Sequence, residues 1–305
     1  PLRRTWKSSG ARLAPFVRRE EPMPSDWPVA LATPVTARRP VEQLSLTRDE
    51  TDYCWYETEF TVAASEAGPG RLTFERVADL AHVFIDGRPV ATTPLPLRER
   101  RGRMDEGRFT QTFELTLAPG RHRLSVLACA LGLIKGDWMI GYANMAEERK
   151  GLWAPVRWSR RGLPGPWRMQ PGLLGERLSL PAEPGALLPW KTAAARDTRR
   201  PLSWWRTTFA RPKSPGPFAL DLGGMGKGLA WINGRCLGRY WNIPESDPMG
   251  PWMDWMKGSL VGAPSGVATQ RHYHVPADWL REQNTLVLFE ELGGDPATIR
   301  LLRRV

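Results

Sequence analysis

Among the residues able to do chemistry, Glu290 and Glu291 are adjacent carboxylates, the sort of pair that invites a glycosidase reading. Two carboxyl groups flanking a bond can cleave a glycosidic linkage, one as acid and the other as base or nucleophile. Neighbours on an extended strand point to opposite faces, so these two cannot flank one bond. The stronger reading is structural, with one of them pairing an Arg or accepting backbone hydrogen bonds. Asp137, Glu147 and Glu148 are further carboxylates that no sequence feature brings together. His272 and His274 would share a strand face, a spacing that can begin a metal site, but no third ligand lies nearby and a packed role is preferred. The run Gly223-Gly224-Met225-Gly226-Lys227-Gly228 resembles a phosphate loop only superficially. It lacks both the Lys-Ser/Thr ending and a following helix, and reads as a bend between strands. Cys54, Cys129 and Cys236 are odd in number and far apart, and read as mostly buried free thiols.

Aromatic residues are the other candidates. Trp231, Trp55, Trp153, Trp204 and Trp279 fall in or beside alternating apolar runs and read as core. Trp241, Trp252 and Trp255 differ, because they sit in or beside residues 241–269, a stretch of loop-like composition. Indoles on a loop mark a contact surface, whether for a sugar, another domain or another subunit. Arg239, Asn233 and Gln270 lie close enough in sequence to offer polar partners. Asn233-Gly234 and Asp86-Gly87 are hairpin-turn pairs, which explains their residue types without a ligand.

Turns and strands must position these residues. The 305 residues include 29 Gly and 29 Pro, which leaves little room for long helices. Aromatic and β-branched runs bounded by turn residues predict strands at Tyr53–Val62, Arg71–Arg76, Ala81–Ile85, Phe109–Leu117, Arg121–Ala130 and Leu202–Phe209, with a short one at Glu176–Leu180. Ala277–Glu282, following Pro276, is the one short helix expected. The halves echo each other: Tyr56–Phe60 matches Trp205–Phe209, and Val83–Arg88 matches Ala230–Arg235 at nearly the same offset. Arg123–Leu127 matches Thr285–Phe289 at a larger offset, which residues 241–269 account for as an insertion. The pattern argues for a duplicated domain.

The 43 Lys and Arg against 32 Asp and Glu give a net charge of +11, spread along the chain without the signature of a nucleic-acid module. A solvated Arg-rich surface is the preferred reading, with attraction of acidic polysaccharides, pectic or sulfated, as the alternative. No apolar run reaches the length of a membrane span. Pro1 opens the chain with neither an initiator Met nor an apolar signal core, and is expected to be the cut edge of a longer protein.

From about residue 43 to Val305 the chain resembles glycoside hydrolase family 35, especially the plant-type β-galactosidases. The matching stretches are Glu42–Leu44 with Thr47–Asp49 and Asp52–Tyr56, Ala81–Gly87, Gly172–Leu180, Met225–Gly234, Gly238–Trp241, Gln270–Pro276 and Phe289–Pro296. The resemblance implies an all-β chain of two galactose-binding-domain-like jelly-roll β-sandwiches, which follow a catalytic (β/α)8 barrel in that family. No alternating strands and helices for such a barrel are visible here. The 241–269 insertion is Cys-rich in plant relatives and has no Cys here.

The expected organisation is an extended leader over residues 1–44, sandwiches over 45–162 and 201–305, and an irregular bridge over 163–200. The resemblance implies a non-catalytic module that recognises galactose-containing polysaccharide. Indoles would stack on the C–H face of a β-galactoside while Arg or Asn takes its hydroxyls. The tentative carbohydrate-binding set is Trp252, Trp255, Trp241, Arg239, Asn233 and Gln270, with no catalytic or metal residue. Purely structural bracing of a catalytic barrel is the alternative function. Expected partners are a galactose-containing glycan and a catalytic domain of the same parent chain, with no nucleic acid or membrane. No cofactor is expected beyond a structural Ca²⁺ from scattered loop oxygens. The resemblance also implies a secreted or extracytoplasmic location.

Overall fold

The computed structural model describes residues 5–92, 110–132, 149–182, 189–194, 200–242 and 270–305. Its strands begin with β1 (Trp6–Ser8) and β2 (Val17–Glu20). Next come β3 (Val35–Ala37), β4 (Tyr53–Val62), β5 (Gly68–Phe74), β6 (Val77–Ala78), β7 (Leu80–Ile85), β8 (Arg88–Thr92), β9 (Gln111–Leu117), β10 (Gly120–Cys129), β11 (Gly151–Leu152), β12 (Val156–Trp158), β13 (Arg161–Gly162) and β14 (Trp167–Pro171). The remainder are β15 (Lys191–Thr192), β16 (Ser203–Ala210), β17 (Phe218–Asp221), β18 (Lys227–Ile232), β19 (Arg235–Trp241), β20 (His272–Val275), β21 (Gln283–Glu290) and β22 (Arg300–Arg304). Two compact units result, one of Pro22–Leu174 and one of Pro1–Glu21 with Gly175–Val305.

In the Pro22–Leu174 unit, the first sandwich, a six-stranded sheet runs β3-β14-β4-β10-β7-β8 and a four-stranded sheet runs β13-β12-β5-β9. Alternation along β4 sends Tyr56, Phe60 and Val62 into the core and Glu57 and Glu59 to the opposite face. Leu124, Val126 and Ala128 of β10 meet Leu72, Phe74 and Trp158 in the same core. Full burial of each large side chain contributes about 1.5–3 kcal/mol.

The second sandwich repeats this plan strand for strand. Its six-stranded sheet runs β15-β2-β16-β21-β18-β19 and its four-stranded sheet β1-β22-β17-β20. Its core holds Trp205, Phe209, Leu220, Ile232, Leu286 and Leu288. Sheet position by sheet position, β4 corresponds to β16, β7 to β18, β10 to β21 and β12 to β22, so the duplication visible in the sequence is a duplication of architecture. The correspondence continues past β22 onto the start of the chain: β1 takes the place of β13, and β2 that of β14. The second sandwich is therefore a circularly permuted copy of the first.

This permutation corrects the expected leader. Trp6–Ser8 pairs antiparallel with Leu302–Arg304, and Val17–Glu20 with Ser203–Arg206. Nor is the whole of 163–200 a bridge, since Trp167–Pro171 pairs with both β3 and β4. Strands of three to five residues paired with distant segments leave almost no local periodicity to read. Glu176–Leu180 is not a strand: a helical turn, Leu174–Arg177, begins there. At Ala277–Trp279 the expected helix is a single 3₁₀ turn, whose Ala277 carbonyl accepts the N–H of Leu280.

The two Asx-Gly turns occupy matching hairpins, β7–β8 and β18–β19. Asp86 and Asn233 have φ of +51° and +52° and the glycines that follow +75° and +80°, the double left-handed turn that Asx-Gly favours. Each Asx side chain is spent on the neighbouring strand. Asp86 Oδ1 accepts the Arg123 N–H at 2.8 Å, and Asn233 Oδ1 accepts the Thr285 N–H at 2.9 Å.

Asp86 Oδ2 also lies 2.8 Å from His122 Nδ1. Partial burial opposes charge on both groups, but their hydrogen bonds and mutual attraction prevail, lowering Asp86 and raising His122. The raised His122 contributes stability below its unfolded value near 6.5, and that contribution is lost as pH rises through its folded value. The lowered Asp86 contributes above its unfolded value near 3.9, and loses it as pH falls through its folded value. The pair therefore stabilises most between about pH 4 and 6.5. Replacing His122→Gln should lower stability by about 0.5 kcal/mol near pH 5.5, solvent screening keeping it small, and by less at pH 9. Thermal melts of both proteins across that range check it.

Candidate functional site

Of the residues singled out from the sequence, Trp252 and Trp255 lie outside the described residues, as do Asp137, Glu147 and Glu148. Trp241, Arg239, Asn233 and Gln270 are described, and the structure does not bring all four together. Asn233 forms the tip of the β18–β19 hairpin, whereas Trp241 pairs with Lys227 at its far end, about 20 Å away along the strand. Both Asn233 Nδ2 hydrogens are used, on the Trp279 carbonyl and Asn284 Oδ1, each at 2.9 Å. Asn233 is a turn residue whose side-chain amide is engaged within the fold.

Trp241 and Gln270 do converge. The Trp241 N–H donates to Tyr273 Oη at 3.0 Å, and that hydroxyl donates to the Gln270 carbonyl at 3.3 Å. The two residues flank segment 243–269, at the edge where β19 of one sheet approaches β20 of the other. Asn242 fixes one root of that segment, donating through Nδ2 to the carbonyls of Leu222 (2.5 Å) and Met225 (2.7 Å). Beyond Gln270, Arg271 is ion-paired with Asp221, and His272 lies 5.4 Å, ring centre to ring centre, from Trp6. Arg239 lies two residues from Trp241 on β19, so both share the face opposite Tyr240, which is in the core.

A buried charge cluster that sequence reasoning missed underlies this edge. Lys227 and Glu291 form an ion pair with neither side chain exposed. The Lys227 ammonium sits 5.5 Å from the centre of the Trp241 ring, so one indole face shields the pair and the half-buried remainder faces outward. Glu290 turns the other way. It accepts N–H bonds from Leu292 (2.8 Å), Gly226 (2.9 Å), Gly293 (3.1 Å) and Lys227 (3.2 Å), and its Oε2 is 3.0 Å from Tyr240 Oη. Burial pushes Glu290 upward against those donors, and pushes Tyr240 far up beside it. Both glutamates are committed to structure, on opposite sides of the chain. The only hint in the sequence was Lys227 inside an apparent glycine bend.

The remaining candidates are quickly placed. Trp55, Trp204 and Trp231 are buried, while Trp153 and Trp279 are half-buried, the latter with Arg235 4.2 Å from its ring centre. Cys54 and Cys129 are buried, but Cys236 is exposed. Among the described residues no three His, Cys, Asp or Glu side chains converge to hold a metal.

The second unit is an antiparallel β-sandwich with an aromatic and polar edge. Residues 202–285 match the family model "Beta-galactosidase, galactose-binding domain", in line with the resemblance read from the sequence. Over 273 residues the chain is 31% identical to "Beta-galactosidase 3" of Oryza sativa subsp. japonica, an alignment covering 87% of this chain. It spans only 31% of that relative's length. Two solved structures are more distantly similar. A GH78 family rhamnosidase of Bacillus sp. GL1 is 15% identical, with 95% of this chain and 33% of that one covered and a TM-score of 0.29. A glycosyl hydrolase family 2 member from Bacteroides cellulosilyticus is 10% identical, with 97% and 34% covered and a TM-score of 0.26. Scores this low add nothing to the assignment.

Proposed function

We propose that the chain is a non-catalytic carbohydrate-binding module of a β-galactosidase-like glycoside hydrolase, recognising galactose-containing polysaccharide outside the cytoplasm. The observation that carries this reading is the half-buried Trp241 indole, with the Lys227 ammonium against one face, in a galactose-binding-family domain. An indole face stacks on the C–H face of a galactoside, while Arg239 and the Gln270 amide can take hydroxyls. Hydrolysis is assigned to residues outside this chain, because Glu290 and Glu291 are consumed structurally on opposite sides.

A second reading, bracing of a catalytic barrel in the parent protein, is favoured by the complete internal use of Asn233 and the structural role of Trp241.

Affinity electrophoresis in β-galactan separates the two readings. Retardation of the native chain is expected, and Trp252→Ala or Trp255→Ala should weaken it by about 30-fold, a stacked anchor being worth about 2 kcal/mol. Melting temperature should hold in both variants. Lack of retardation in the native chain would leave bracing as the function. Aryl β-galactosides should not be hydrolysed by the isolated chain; turnover surviving a mock purification would place catalysis within it.

A further inference from the structure

The first sandwich carries a cleft of about 490 Å³ on the face of its six-stranded sheet. Its charged lining is Glu57 and Glu59 of β4, Arg121 and Arg123 of β10, Arg161 of β13 and Arg168 of β14. Cation exceeds anion by two to one in a concavity of the size that small ligands occupy. Glu57, 5% exposed, forms the floor and accepts the Ser125 hydroxyl at 2.8 Å. Arg121 is ion-paired with Glu59, and Arg161 bonds the Thr61 carbonyl at 2.6 Å and Glu66 at 3.2 Å. Two guanidinium groups are less committed. Arg123 Nε is buried without a hydrogen-bond partner among the described residues, and Arg168, in register with Glu57, is exposed at the rim.

The duplicated architecture supplies the control. In the second sandwich the position of Glu57 is taken by Arg206, its neighbour Arg168 becomes Val17, and Ser125 becomes Val287. The position of Glu59 is Thr208, paired with Thr285 where the first sandwich pairs Glu59 with Arg123. The same ten-strand framework folds without the charged set, so the framework does not require it. Burying Glu57 beside Ser125 costs desolvation, which is why burial raises its pKa despite Arg123 and Arg168.

We propose that this cleft is a second glycan site, selective for an anionic sugar, with Arg168 and Arg123 holding a carboxylate or sulfate group and Glu57 accepting from a neighbouring hydroxyl. The guanidinium fork matches planar oxyanions bidentately, a geometry that a single ammonium cannot offer. Choice of a glycan over another anion rests on the carbohydrate-binding reading; the anionic selectivity rests on the cleft alone.

Isothermal titration of the 305-residue chain tests it with three probes: an oligogalacturonate, a sulfated galactan oligosaccharide and a neutral β-galactan oligosaccharide. At least one acidic probe should bind, the stronger of the two naming the oxyanion. Arg168→Ala should weaken it at least tenfold, Arg168→Lys should only partly restore it, and Arg161→Ala should give a smaller loss. Lys213→Ala, which removes the same charge from an exposed position of the second sandwich, should leave it unchanged. Neutral galactan should be indifferent to Arg168→Ala. Failure of both acidic probes to bind, or equal losses from Arg168→Ala and Lys213→Ala, would overturn the cleft. A null result with neutral galactan alone would count against the second-sandwich site and leave this one standing. Melting curves confirm that each variant is folded.

Discussion

Replacing Lys227→Met is expected to destabilise the second sandwich by about 3–5 kcal/mol, because it leaves the Glu291 carboxylate buried without its ammonium. Neither side chain of the pair is exposed, so water cannot compensate for the lost charge. Glu291→Ala should do comparable damage from the other side, stranding an ammonium beneath the Trp241 ring. The double variant Lys227→Met/Glu291→Leu should recover most of the loss, since exchanging a buried pair for apolar groups is often neutral or stabilising. Denaturant melts of the four proteins form a double-mutant cycle. A coupling energy near zero would mean that the two groups act independently, and the electrostatic account of this edge would fail. The cycle also bears on binding, because the ammonium and the indole hold each other in place. If Trp241 presents a ligand face, Lys227→Met should weaken galactan binding beyond its effect on stability.

Where side-chain alternation and turn chemistry are local, the fold could be read directly. Tyr53–Val62 is one strand as expected, because its aromatic and β-branched run is bounded by turn residues and spans ten consecutive positions. Asp86-Gly87 and Asn233-Gly234 announced matching hairpins for the same reason: a double positive-φ turn selects those residue types wherever it occurs. Long-range closure was not legible. Trp6 finds its partner at Arg304 and Arg18 at Trp205, and nothing in a three- or four-residue strand records which distant edge it joins. The candidate site residues divide likewise. Trp241 and Gln270 flank one segment and were visible together, whereas Glu57, Arg123 and Arg168 come from three strands and meet only through sheet register. Asn233 was grouped with Trp241 because an amide able to bracket sugar hydroxyls is equally able to close a turn, and sequence proximity hid the length of the hairpin between them.

Deleting residues 1–21 should cost the second sandwich well over 4 kcal/mol, out of a total stability of about 5–15 kcal/mol for an ordinary domain. β2 is an interior strand, paired on one side with β15 and on the other with β16. Its removal uncovers the edge of β16, takes Phe16 from the core and withdraws the Arg18 side chain that bonds Ser203 Oγ at 3.1 Å. Glu21 is lost as well, although the Trp204 indole N–H donates to it at 2.8 Å and the Gly175 N–H at 3.1 Å. Permutation predicts the remedy. Thr5 and Val305 exchange two backbone hydrogen bonds, at 3.0 and 3.3 Å, in line with the β1–β22 ladder. In the first sandwich the equivalent strands β12 and β13 are joined by the two-residue turn Ser159-Arg160, with Trp158 opposite Arg161. A chain of residues 175–305, a two-residue Asn-Gly turn and residues 5–21 should therefore fold as a single cooperative unit, whereas residues 175–305 alone should not. Circular dichroism melts and amide exchange of the two polypeptides decide the matter. Should the shorter one melt as cooperatively as the permuted one, β1 and β2 would be dispensable decoration rather than the closing strands of the second sandwich.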